Sequence, residues 1–186
     1  MIDTHKAAKE FTMLQLATSF GSIRNWQTDD ASALAKYANN RRVSINLRDI
    51  FPFPYTPDDA HQFLSRVVDQ ADLMRWAIAT PEEAIGGIGL TRGEDIHRRT
   101  AELGYWLAEP YWGRGIASES VQVVTNYAFA TFDLLRIFAE PFVTNVGSCR
   151  VLEKAGFVCE GILRANAVKA GQVHDMAMYA LVRDEV

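Results

Sequence analysis

The passage that most constrains this chain runs from Ala101 to Ala130, AELGYWLAEPYWGRGIASESVQVVTNYAFA. An alternating run from Ala101 to Leu107 reads as a strand. It ends at Pro110 and the aromatic pair Tyr111-Trp112, and the tight turn Gly113-Arg114-Gly115 follows. A helical pattern then begins at about Ile116, with Ala117, Val121, Val124 and Ala128 on one face. Glycines between a strand and a helix have two physical uses: they let the chain turn sharply, or they let an anion approach the backbone. The first N–H groups of a helix lack intrahelical partners and sit at the positive end of the macrodipole. A phosphate therefore suits such a turn, and Arg114 would add a charge-assisted contact.

The rest of the chain narrows the choice. With 186 residues, 48% of them hydrophobic and 23% charged, it suits one domain with a sizeable core. The first thirteen residues read as a polar arm, and residues 14–186 as the single domain. Net charge is −4 with no long run of either sign, which offers no footprint for nucleic acid or anionic lipid and mildly favours a cationic or amine substrate. There is no signal-like or membrane-spanning apolar stretch, so a cytoplasmic location is expected. Cys149 and Cys159 make no framework, and His5, His61, His97 and His174 have no ligand spacing, so no metal is expected.

Leu14 to Trp26 is β-leaning. A helix is expected after Thr28-Asp29-Asp30, with Ala31, Leu34, Ala35 and Ala38 facing inward and Asn39-Asn40 stopping it. Pro52, Pro54 and Pro57 keep the next segment irregular until Thr56 caps a helix with Pro57 at its first position. Phe63, Leu64, Val67 and Val68 are its expected buried stripe. Strands follow from Leu73 to Thr80 and from Ala84 to Arg92, joined by Pro81-Glu82-Glu83, and the Ala101 strand is next in series. After the glycine turn and its helix come a strand near Leu134 to Val143, a short helix near Asn145 to Ala155 stopped by Gly156, and a final hairpin turning at Lys169 to Gln172. This order implies an α/β (α+β) fold with a mixed, mostly antiparallel sheet.

Ser118 stands where a dinucleotide fingerprint needs its third glycine, and the turn lies past mid-chain, so a Rossmann oxidoreductase is a remote alternative. The motifs around the turn point elsewhere. Trp112-Gly-Arg-Gly115-Ile-Ala117 resembles the Gln/Arg-x-x-Gly-x-Gly/Ala signature of the GNAT acetyltransferases, with Trp112 departing from the usual first residue. YWGRGIASES resembles the YWGKGYATEA of one branch, the RimJ/RimL-like N-acetyltransferases. TNVGSCRVLEKAGFVCEG, AELGYWL and FPFPYTPDDAHQFL resemble that branch's motifs in the same order, over about Arg24 to Arg183.

The resemblance implies a splayed GNAT sheet and transfer of an acetyl group from acetyl-CoA to a primary amine, by direct attack in a ternary complex. The amine would belong to a protein N-terminus or a small molecule, and the protein would be a monomer or homodimer. It implies cofactor contacts from Tyr105, Trp106, Leu107, Trp112, Gly113, Arg114, Gly115, Ile116, Ala117, Ser118, Asn145 and Ser148, and an acceptor wall from Phe51, Phe53 and Tyr55. Period 2 places Glu102, Gly104 and Trp106 on one strand face and Leu103, Tyr105 and Leu107 on the other. Glu102 is either a catalytic base lining the amine site, as in the related enzymes, or half of an ion pair with an arginine such as Arg99. Gly104 suits a β-bulge that would splay the sheet. Asn145 and Ser148 are either helix caps or thioester contacts, with Ser148 donating to the leaving sulfur. A nucleophilic Cys149 with His174 and Asp175 is disfavoured, because nothing places the three together. A non-catalytic acyl-CoA-binding module of the same fold remains the alternative to an enzyme.

Overall fold

The computed structural model of the protein describes residues 14–68, 70 and 73–183. The arm expected at residues 1–13 lies outside the described residues. Strands β1 (Gln15–Thr18) and β2 (Gly21–Asn25) form a hairpin, followed by helices α1 (Ala31–Ala38), α2 (Arg41–Ser44) and α3 (Pro57–Val67). Strands β3 (Arg75–Ala79), β4 (Ala84–Arg92) and β5 (Thr100–Leu107) come next, then α4 (Ile116–Thr131), β6 (Arg136–Ala139), α5 (Val146–Lys154), β7 (Val158–Lys169) and β8 (Gln172–Val182). The described strands form one sheet in the order β1-β2-β3-β4-β5-β6-β8-β7. Its pairs are antiparallel except β5–β6, which is parallel. A single parallel pair removes the Rossmann reading, which needs a doubly wound parallel sheet.

Local chemistry accounts for most element ends. Thr56 and Asp59 make a reciprocal capping box at α3, with Pro57 behind the cap. The helix expected after Thr28 begins as a 3-10 turn, Thr28–Asp30, in which the buried Asp30 accepts from the Gln27 N–H and pairs with Arg24. Asn39 ends α1, while Asn40 starts α2, a four-residue helix that the asparagine pair hid in the sequence; the Asn40 side chain accepts from the Arg42 N–H. The β7–β8 hairpin turns through Ala170 and Gly171 with φ of 50° and 76°.

The sheet carries helices on both faces. On one, Trp76, Ile78, Ile88, Leu90, Leu103 and Leu107 meet Val121, Val124 and Ala128 of α4. Burying each valine side chain there contributes on the order of 1.5 to 3 kcal/mol. On the other face α1 and α3 pack through Leu34, Ala38, Ala60 and Leu64. The sheet surface beneath them is small: Ala77, Gly87 and Trp106 are in register, as are Arg75, Gly89 and Gly104. A Cβ on Gly87 would lie 2.8 Å from the Trp106 Nε1 and 3.1 Å from the Trp26 Cζ2, so the missing side chain admits both indoles. No helix among the described residues is long and apolar enough to cross a membrane.

Candidate active site

The glycine turn is open and uncapped. Gly113 and Gly115 have φ of 75° and 82°, where an L side chain is strained, and a Cβ built on either meets nothing within 4 Å. No side chain caps α4 at this end. Trp112 acts as a strut: its indole N–H donates to the Leu107 carbonyl at 2.7 Å, fixing the turn to the end of β5. Gly113, Gly115, Ile116, Ala117 and Ser118 line a cavity of about 1380 Å³. Arg114 lies outside that lining, with its guanidinium 5.5 Å from the Tyr111 ring centre; Arg150 and Lys154 of α5 line the cavity instead.

The same cavity continues along β5. The expected bulge at Gly104 is absent: the β4–β5 register runs unbroken from Gly86↔Leu107 to Arg92↔Ala101. The sheet opens on the other side, where β5 pairs with β6 only from Thr100 to Glu102. Past Glu102 the two strands part, so splaying comes from a short parallel ladder rather than an inserted residue. Tyr105 reaches across the opening to α5, with its hydroxyl 2.7 Å from the Ser148 Oγ. Burial pushes the Tyr105 phenol well above its usual range, and the Ser148 hydrogen bond partly opposes this. The phenol therefore keeps its proton and can pass a hydrogen bond through Ser148. Asn145 caps α5 by accepting from the Ser148 N–H at 3.1 Å. Its Nδ2 donates to no group among the described residues, and Asn145 lines the cavity.

At the far end Glu102 pairs with Arg48, from the loop after α2, whereas Arg99 pairs with Asp133. The sequence left the partner open because Arg48 is 54 residues away. Glu140, just past β6, also lines the cavity and was missed by the sequence reading. The parallel register places Phe138 opposite Glu102, and Glu140 follows two residues later, near enough to Glu102 to feel its charge. Burial raises the Glu140 pKa, the negative charge of Glu102 raises it further, and Arg48 opposes both. A carboxylate shifted this way holds a proton closer to neutral pH than an ordinary one.

Phe51 and Tyr55 line the same cavity, with Phe51 5.6 Å from Trp106 and 5.0 Å from Tyr55, centre to centre. Burial pushes the Tyr55 phenol up to about 12. Phe53, expected beside them, stands outside the cavity, 44% exposed with Arg41 over its ring, because the proline-rich loop turns it outward. Cys149 has neither of its supposed partners: His174 stacks on Phe142 and Asp175 accepts from the Ala165 N–H. Burial raises the Cys149 pKa, and the Tyr179 hydroxyl partly offsets this. That thiol stays protonated and is a poor nucleophile.

An uncapped helix N-terminus, a split sheet and the carboxylates of Glu102 and Glu140 thus share one cavity. Comparison with known proteins gives the family. Residues 22–158 match the model of the acetyltransferase (GNAT) domain. The chain is 30% identical over 177 residues to the uncharacterized N-acetyltransferase p20 of Bacillus licheniformis, covering 93% of this chain and 98% of that one. It is 33% identical over 103 residues to the ribosomal-protein-serine acetyltransferase of Escherichia coli, covering 55% and 57%. The RimL ribosomal L7/L12 acetyltransferase, solved with coenzyme A, superposes with a TM-score of 0.79 at 23% identity over 90% of this chain and 96% of that one, a likeness of fold. The chain belongs to the GNAT acetyltransferases.

Proposed function

We propose that this protein transfers the acetyl group of acetyl-CoA to a primary amine by direct attack in a ternary complex. One observation carries the reading: a single cavity joins the uncapped N-terminus of α4 to the Glu102–Glu140 pair, with Tyr105 and Ser148 along the way. Pyrophosphate would rest on the amides after Gly113 and Gly115, where the macrodipole favours it, with Arg150 and Lys154 adding positive charge. The thioester would then lie in the gap between β5 and β6, beside Asn145 and Ser148. The amine nitrogen attacks the thioester carbon, the C–S bond breaks, and the amine proton passes to the carboxylate pair. Ser148, backed by the Tyr105 hydroxyl, donates to the departing sulfur. Arg48 holds Glu102 in the free site, so Glu140 is the open proton acceptor until an amine displaces Arg48.

The acceptor is an α-amine of a protein or a small amine. Relatives named for ribosomal proteins support the first, and a relative named for spermidine supports the second. Incubation with acetyl-CoA and a panel of both kinds tests the reading through free thiol and through an acetyl group on the amine. Tight CoA binding with no thiol release from any amine would leave the non-catalytic module in its place.

A further inference from the structure

The chain as a whole is acidic, with a net charge of −4. Its cavity is the reverse. Nine charged side chains line it: six basic (Arg42, Arg48, Arg66, Arg75, Arg150, Lys154) against three acidic (Asp59, Glu102, Glu140). Arg150 and Lys154 belong to the cofactor end. Arg42 is tied to Glu109, and Asp59 to the Thr56 cap. The acceptor end presents Arg48, Arg66 and Arg75 against Asp59, Glu102 and Glu140, with Arg48 paired to Glu102.

Arg75 is the built element of this group. It lies on β3 opposite Gly89, which lies opposite Gly104 of β5. A Cβ on Gly89 would sit 2.7 Å from the Arg75 Cδ and 3.0 Å from its Nη1, so the arginine lies flat across the glycine along the cavity floor. Nη1 donates to the Leu90 carbonyl at 2.5 Å and to the Met74 carbonyl at 3.2 Å, and Nη2 donates to the Thr91 Oγ1 at 2.7 Å. Thr91 is the register partner of Glu102. The head group is thus fixed on the β4 side of Glu102, roughly one strand spacing of about 5 Å away. It makes no ion pair among the described residues. The Nε–H and the second Nη2 proton have no acceptor there either. Burial lowers its pKa and the field of Glu102 raises it in turn, so a guanidinium partly withdrawn from water is balanced only at a distance.

We propose that the amine acceptor carries a carboxylate or phosphate close to its amine, and that Arg75 receives this anion while Glu102 and Glu140 receive the amine. This deepens the acetyltransferase reading and rests on it. A guanidinium fork matches either anion with paired hydrogen bonds. The single strand spacing selects compounds whose two charges are a few bonds apart, such as amino acids and amino phosphates. Aromatic rings at Phe51, Tyr55 and Trp106 offer a flat apolar wall for the remainder.

The test compares matched amines on the full-length protein loaded with CoA or acetyl-CoA: phenylalanine with phenylalaninamide, phosphoserine with serinamide, and the peptide amides Ser-Asp and Ser-Asn. Both kcat/KM and calorimetric binding are read. Wild type should prefer the anionic member by about tenfold or more, the usual weight of a charge-assisted contact. The preference should vanish in Arg75→Gln and survive in part in Arg75→Lys. A preference confined to the peptide pair would overturn the assignment to acceptors whose two charges are a few bonds apart. Equal kcat/KM and equal binding within every pair in wild type would overturn the anion site, whatever the variants do. A binding preference without turnover would refute the acetyltransferase reading and leave the anion site standing.

Discussion

Substituting Gly115 separates the cofactor cradle from ordinary backbone geometry. At φ of 82° an alanine is strained by roughly 1 to 3 kcal/mol, although its methyl meets no protein atom within 4 Å. Gly171, in the β7–β8 turn, has φ of 76° and equally open surroundings, yet does not line the cavity. Gly115→Ala and Gly171→Ala should therefore lose similar stability in urea melts. Only Gly115→Ala places a methyl where a phosphate would approach α4, or turns the amides away if the chain relaxes. Losing one charge-assisted contact of about 1.5 to 3 kcal/mol weakens CoA by about 10-fold to 150-fold. Calorimetry should show that loss for Gly115→Ala and wild-type affinity for Gly171→Ala. Wild-type CoA affinity in a folded Gly115→Ala protein would refute the cradle argument.

Three further outcomes test other parts of the account. The Glu140 carboxyl is held up partly by Glu102 and held down by Arg48, so Glu102→Gln should move the acid limb of the kcat/KM–pH profile to lower pH and Arg48→Gln should move it to higher pH. Glu140→Gln should remove that limb and slow turnover by about 100-fold or more near neutral pH, with the deficit shrinking as pH rises and more amine is neutral. Tyr105→Phe leaves Ser148 without its 2.7 Å partner and should lower kcat by about tenfold, with CoA affinity unchanged by calorimetry. Thr56→Ala breaks the α3 capping box and should cost about 1 kcal/mol in urea melts, with no change in kcat.

The parts legible in the sequence were those set by local chemistry. Thr56-Pro57 announces its helix, Gly156 its stop at φ of 91°, and Gly113 and Gly115 an open, left-handed turn. Alternation correctly placed Tyr105 and Glu102 on opposite faces of β5. What escaped depends on distant partners. Nothing near Glu102 in sequence points to Arg48, and nothing near Glu140 shows that the β5–β6 ladder ends before it. Arg75 reads as an ordinary strand arginine until Gly89 is seen opposite it. Gly104 was assigned a bulge because a glycine inside a strand often marks one. The register is unbroken there, and a Cβ built on Gly104 would meet nothing within 4 Å.

Initial rates with acetyl-CoA and one good amine, both varied, test the central claim most directly, together with the intact mass of the protein after acetyl-CoA alone. Direct attack in a ternary complex predicts intersecting double-reciprocal lines and a protein that carries no acetyl group before the amine is added. Parallel lines with an acetyl group on Cys149 would mean that the thiol beside Ser148 carries the reaction, contradicting the account.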